Sequence, residues 1–273
     1  MIARFAKFIL LPCLLVVLFC PRIYPQNFAN NNKQIKIDKP EKELKVGEKL
    51  KFSLQWLGVP IGWIELETKG IVSIEGNNCY QIVARAFPNS FFRKIYNVEY
   101  AVNSFIDKKG LFTRRFTKRK LYNGKVTDVI IDFDLQNKQA KYRNLTTNQD
   151  FTVKALSFAQ DLLSSLYYLR LQDLKLGSKY KVDIVYGDKF WNINAEVDDV
   201  KALDLRKLGT FNVVKVDLNA ELSQMVLGKK DMRLFLTSDS RRIPVLFTLH
   251  TSMGPVRGII QEIKPGSQWK NSS

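Results

Sequence analysis

The chain is short of the side chains that carry most chemistry at neutral pH. Histidine occurs once, at His250, so no multi-histidine metal site can be assembled and no second imidazole is available for a proton relay. As the base of a serine triad, His250 would need a serine on a Gly-x-Ser-x-Gly elbow, and the sequence holds none. Cysteine occurs three times, at positions 13, 20 and 79. Loss of an N-terminal signal would leave Cys79 alone, with no disulfide to form inside the chain. Cys79 opens a largely apolar stretch and reads as a buried, inert thiol. No glycine-rich loop leads into a helix: Gly58 and Gly62 bracket Pro60 in a turn ahead of a strand, which excludes a phosphate cradle of that kind. No fixed-period repeat is visible, which argues against a solenoid or propeller.

Acid is also scarce. Lys and Arg number 43 against 26 Asp and Glu, a formal net charge of +17. Arg4, Lys7 and Arg22 supply three of those charges, and the rest of the chain keeps +14. Such an excess concentrates anions near the surface; it equally serves solubility. The apolar run from Phe8 to Cys20 follows Arg4 and Lys7 and is shorter than the ~20 residues that span a bilayer. This is the layout of a secretory signal. Cys13 follows Pro12 and Cys20 follows Phe19, not the small residue a lipid-attachment site needs, and no clean pair of small residues marks cleavage. Residues 1–26 are therefore expected to be a signal peptide or retained N-terminal anchor that can associate with a membrane. For an exported protein the relevant anions are lipid, glycolipid or polysaccharide, not nucleic acid.

Residues 27–43 are rich in Asn, Lys and Gln and read as a flexible spacer. A single domain is expected over 44–265, with 266–273 as a tail. Within it, apolar residues alternate in short runs broken by turn residues, the pattern of antiparallel strands. Lys49 to Trp56 is the clearest, with Leu50, Phe52, Leu54 and Trp56 on one face. A turn over Gly58 to Gly62 returns the chain into Trp63 to Thr68, and Glu75 to Asn78 turns a second hairpin. Ten further strands are predicted between Tyr96 and Ile263. The segment from Ser157 to Arg170 breaks this period and spaces Phe158, Leu162, Leu163, Leu166 and Leu169 as an amphipathic helix. Ser157 and Gln160 fit a capping box, and Gly177 fits a stop. The expected fold is all-β, a curved antiparallel sheet or open barrel-like form, with one amphipathic helix packed on it.

Three groups of residues invite chemistry. Glu65 with Glu67, Asp132 with Asp134, and Asp198 with Asp199 are carboxylate pairs of the kind a glycan hydrolase needs, although the first two alternate with apolar residues and read as solvated strand faces. Among basic clusters, Arg114, Arg115, Lys118, Arg119, Arg241 and Arg242 are the candidate ligand-binding residues, since Arg forks match phosphate and carboxylate. On one strand, period two puts Phe112, Arg114, Phe116 and Lys118 on one face and Arg115 and Arg119 on the other. A face of rings and cations suits an anionic amphiphile; a solvated, edge-protecting cationic strand is the alternative.

Four stretches resemble a bacterial exported family, domain of unknown function 3108. They run from Leu44 to Gly62 (with Trp56, Gly58 and Gly62), Asp161 to Arg170 (with Tyr167), Leu208 to Val216, and Leu234 to Val245 (with Asp239 and Pro244). The resemblance implies an envelope location and a curved β architecture, and it carries no reaction, metal or cofactor. The leading expectation is a non-catalytic envelope protein that binds an amphiphilic or anionic component such as lipid or glycolipid. A structural protein docking another envelope protein is the alternative, and a carboxylate-dependent glycan hydrolase the third.

Overall fold

In a computed structural model, the described residues are 36–267 apart from 40, 42, 156–157, 188, 206–207, 223–224, 227–231 and 252. The strands are β1 Lys49–Trp56, β2 Val59–Ile74, β3 Asn77–Pro88, β4 Val98–Asp107, β5 Thr113–Tyr122, β6 Lys125–Asp134, β7 Gln139–Asn144 and β8 Gln149–Lys154. They continue as β9 Lys179–Tyr186, β10 Lys189–Asp204, β11 Thr210–Leu222, β12 Met225–Val226, β13 Met232–Thr237, β14 Pro244–Thr251 and β15 Gly254–Lys264. All belong to one antiparallel sheet, ordered β8-β7-β6-β5-β4-β3-β2-β1-β15-β14-β13-β11-β10-β9, with β12 paired to β11. Period-two alternation buries one face of each strand, so the sheet rolls around those side chains into a nearly closed barrel. Its two ends are drawn together by Gln160, which pairs in parallel with Ile184 of β9.

Two helices interrupt the strands, α1 Ser90–Ile95 and α2 Leu162–Arg170. The sequence pattern predicts only the second. It begins at Asp161 and not at Ser157: the Asp161 carboxylate accepts from the backbone N–H of Leu163 and Ser164 at 2.7 and 3.0 Å, and the Ser164 side chain returns to the Asp161 N–H. Ser157 lies outside the described residues. Gln160 instead donates to the Leu111 carbonyl at 2.6 Å. The helix ends at Arg170, and Gly177, with φ +79, turns the chain towards β9.

The antiparallel order assigns every connection to an end. Those joining β1–β2, β3–β4, β5–β6, β7–β8, β9–β10 and β14–β15 lie at one end, called the mouth here; those joining β2–β3, β4–β5, β6–β7, β8–β9, β10–β11 and β13–β14 lie at the other. Helix α2 fills the interior at that second end. Leu163 and Tyr167 pack into the core of β1–β8, while Leu169, Leu162 and Leu166 meet Val182, Ile184, Val214 and Leu234 on the inner face of β9–β13. It is apolar on both flanks because the sheet surrounds it.

Two local expectations change. The turn expected over Gly58 to Gly62 is only Leu57 and Gly58, both with positive φ, and β2 runs unbroken to Ile74. Gly62 is thus a strand residue, and a β-carbon there would collide with the Phe87 carbonyl oxygen. The spacer read into residues 27–43 is tied down where it is described: the Asp38 N–H donates to Ser238 and that of Glu41 to Ser240, each at 2.9 Å.

Candidate functional site

Buried charged groups at the plugged end are paired with one another or with backbone, although the Arg242 Nε and the Gln160 Oε1 have no hydrogen-bond partner among the described residues. The buried Asp161 carboxylate accepts from Ser104 Oγ at 2.5 Å and Thr113 Oγ1 at 2.9 Å in addition to its two helix N–H donors. Burial nevertheless pushes its pKa up, with those hydrogen bonds opposing. Arg170 makes a two-pronged pair with Glu48, 2.7 and 2.8 Å, and its Nε donates to the Arg242 carbonyl at 3.1 Å. The guanidinium also lies over the Tyr167 ring, 5.0 Å from its centroid. Arg242 is 0% exposed and donates to the carbonyls of Ser238 (2.8 Å), Asp239 (3.2 Å) and Asp38. Asp239 takes a hydrogen bond from Thr237 at 2.7 Å and pairs with Arg241 at 2.7 Å across the β13–β14 turn, from which Pro244 opens β14.

The inner face nearer the mouth is different. Strand register places Ala84, Val102, Lys118 and Val129 in one inward row, and Ala86, Tyr100, Lys120 and Thr127 in the next. Lys118 faces inward because Phe116, two residues earlier, packs in the core. Its Nζ reaches across the barrel to within 5.9 Å of the ring centre of Tyr186 on β9, which is not a neighbour of β5 in the sheet. Lys120 lies 5.8 Å from the Tyr100 ring and 5.3 Å from that of Tyr122. Among the described residues neither lysine has a carboxylate partner. Burial lowers the pKa of both, and for Lys118 the charge of Lys120 adds to it. The Tyr186 hydroxyl is pushed up, chiefly by burial and then by Tyr100 and Tyr142. Tyr142 stacks on Phe151 at 4.3 Å. Lys118, Lys120, Tyr122, Tyr142, Phe151 and Tyr186 are half-buried, so this part of the interior is open to solvent from the mouth. The buried Trp191 indole N–H has no acceptor among the described residues.

Of the six cations singled out from sequence, only Lys118 enters this interior. A bulge between Phe105 and Ile106 takes Arg114 out of the inward register, and it pairs with Asp107 at 2.6 Å. Arg115 and Arg119 face outward beside their register partners Asp132 and Asp128. Arg241 and Arg242 are held in the turn at the plugged end. Lys120 closes the same basic run in the sequence but is not among the residues singled out from it; period two extended past Lys118 finds Lys120 and Tyr122, whereas nothing local links Tyr142 or Tyr186 to them.

The carboxylates of the hydrolase reading lie in ion pairs. Glu65 meets Lys51 at 3.2 Å, Glu67 meets Lys49 at 3.2 Å, Asp132 meets Arg143 at 2.7 Å, and Asp199 meets Lys201 at 3.0 Å. Outward charged ladders of this kind mark a barrel wall that faces water, not lipid. Cys79 is buried and its thiol is pushed up to about 11, by desolvation and then by Asp107. No group of His, Cys, Asp or Glu among the described residues could hold a metal ion, and none of their helices is long and apolar enough to cross a membrane.

Comparison with known proteins places this geometry. The family described as "Protein of unknown function (DUF3108)" matches residues 51–261. No curated protein matches. Among solved structures, a beta-barrel-like protein of domain of unknown function DUF1849 from Brucella abortus is similar, with TM-score 0.52, 12% identity, and coverage of 82% of this chain and 100% of that one. A candidate lipoprotein from Parabacteroides distasonis superposes at TM-score 0.35 with 8% identity, covering 83% of this chain and 100% of its own. The first of these shows a shared fold; neither carries a function across.

Proposed function

We propose, for a chain that belongs to the DUF3108 family, that it is an exported, non-catalytic envelope protein whose barrel mouth holds an anionic amphiphile. Lys118 and Lys120 are the groups that pair with its carboxylate or phosphate head, and the rings of Tyr100, Tyr122, Tyr142, Phe151 and Tyr186 flank its apolar part. One observation carries the reading. Two lysines interrupt inward rows that are otherwise mostly alanine, valine and tyrosine, without a counter-ion among the described residues. A buried or half-buried charge costs free energy unless paired, and a sequence keeps such a violation where a ligand supplies the partner. The Trp191 N–H adds a donor awaiting an acceptor. Export is supported by the charged-then-apolar N-terminus, which lies outside the described residues.

The test is native mass spectrometry with lipid extraction on protein purified from the envelope fraction of expressing cells. A stoichiometric acidic lipid or glycolipid that is lost in Lys118→Met with Lys120→Met supports the reading. A clean unliganded mass that anionic detergents and lipids leave unshifted overturns it.

A further inference from the structure

Five of the exposed large apolar side chains, Leu57, Val59, Phe91, Ile95 and Leu145, lie on the connections or strand ends of the mouth. Helix α1 is the most exposed of these elements. It contributes no buried residue; Phe91 is 64% and Ile95 47% exposed, and Arg93 and Lys94 stand on the same single turn and a half. Asn89 caps it, its side chain accepting from the Phe92 N–H at 2.9 Å and donating to the Pro60 carbonyl at 2.8 Å, so the apolar side chains are held outward by a fixed turn. Beside it a groove of about 530 Å³ is lined by Trp63, Phe87, Pro88, Asn89, Arg93 and Lys94. Core packing explains none of these positions.

Charge tells what covers them. Exposed cations near the mouth are Arg93, Lys94, Arg119, Lys125, Arg143 and Lys189, and the acids beside them are Glu99, Asp128, Asp132 and Asp150; Arg93 pairs with Glu99 at 2.5 Å, Arg119 with Asp128 at 3.8 Å and Arg143 with Asp132 at 2.7 Å, so the excess is carried by Lys94, Lys125 and Lys189. Apolar tips with aromatic rings, set among excess cations on one end of a water-facing barrel, match the interface of an anionic bilayer, where Trp and Phe sit at headgroup depth and Lys and Arg pair with lipid phosphates. We propose that the mouth docks on an anionic membrane surface, with Phe91 and Ile95 of α1 entering the headgroup boundary and Trp63 beside it. Docked in this way, the interior would open onto the leaflet. The inference stands on the rim alone and does not require the interior lysines to hold a ligand.

The test compares the two ends of one molecule. Phe158 is as exposed as Phe91 but lies in the β8–β9 connection at the plugged end. In the full chain with Cys13→Ala and Cys20→Ala, an environment-sensitive fluorophore is attached through Phe91→Cys or, separately, Phe158→Cys, with Cys79 buried and unlabelled. Vesicles of phosphatidylcholine containing about 30 mole per cent phosphatidylglycerol are added at about 0.15 M salt. The expected result is a several-fold rise in emission at position 91, none at 158, and a response that pure phosphatidylcholine does not give. That rise persists in Lys118→Met with Lys120→Met, which separates this inference from the ligand reading. Equal responses at both positions, or none at 91, overturn it, as does a rise at 91 produced by a protein of the envelope extract and not by vesicles.

Discussion

The two ends of the barrel enclose charge in opposite ways. At the plugged end Asp161, Arg170, Glu48 and Arg242 are almost fully removed from solvent and each is hydrogen-bonded within the protein, with the Arg242 Nε alone of their guanidinium and carboxylate groups left without an acceptor among the described residues. Towards the mouth Lys118 and Lys120 face inward with rings around them and no carboxylate partner among the described residues. Both arrangements put ions into a low-dielectric space. Only the first supplies its own partners; the second leaves two lysines unpaired among the described residues, which is the charge that the proposed ligand would neutralise.

The largest effect that would sharpen this contrast is expected from breaking the Arg170–Glu48 pair. Arg170→Met strands the Glu48 carboxylate and should cost about 3–5 kcal/mol in urea denaturation, while adding Glu48→Leu should recover part of the loss, since an uncompensated buried charge costs more than an apolar replacement of both partners. Recovery of nothing would mean that the pair does more than neutralise itself. Asp161→Ala removes the helix cap together with the acceptor for Ser104 and Thr113 and should cost about 2–4 kcal/mol, whereas Asp161→Asn keeps the cap and should cost less.

The mouth should behave in the reverse sense. Lys118→Met with Lys120→Met should leave stability unchanged or raise it by up to about 1 kcal/mol, because two unpaired charges are withdrawn from the interior. The same variant should weaken binding of an anionic amphiphile such as dodecyl phosphate by about 10-fold or more, the worth of one charge-assisted hydrogen bond, read by calorimetry. A drop in stability of several kcal/mol would make these lysines structural and erase the difference between the ends.

Proton linkage gives a smaller test with a definite sign. The pKa of Lys118 is lowered on folding, so between that value and the ordinary 10.5 the unfolded chain holds more protons than the folded one. Its contribution to the stability of the unliganded protein therefore rises with pH through this window. Amphiphile affinity should fall across the same window as the lysine loses its charge, and a pH titration of binding in wild type against Lys118→Met isolates the effect. Smallest of all, Arg115→Ala on the outer wall should change stability by about 1 kcal/mol or less, since it is partly exposed and Asp132 keeps Arg143.

Much of this was legible along the chain. Alternation from Lys49 to Trp56 and in the later strands announced an antiparallel sheet, and helical spacing of Leu162, Leu163, Leu166 and Leu169 announced its one long helix. The family landmarks could be found but not interpreted: Asp161, Tyr167 and Arg170 mark the plug, and Gly62 marks a close backbone approach. The short strand β8 and helix α1 were missed. Gln149 to Lys154 offers only Phe151 and Val153 for its inner face, and α1 has no fully buried residue and packs on the core only through Phe92, so each leaves too short a periodic signal to read.

The sequence by itself determined the curved antiparallel class, the helix, the cationic excess and the family, because each is written in local periodicity, composition or linear motif. Tertiary structure alone decided which cations matter. A bulge opposite Arg114 changed the facing of one strand, and closure of the sheet brought Tyr186 of β9 over Lys118 of β5. Facing depends on register and on which strands meet when the sheet rolls up, and both are set by contacts between residues far apart in the chain.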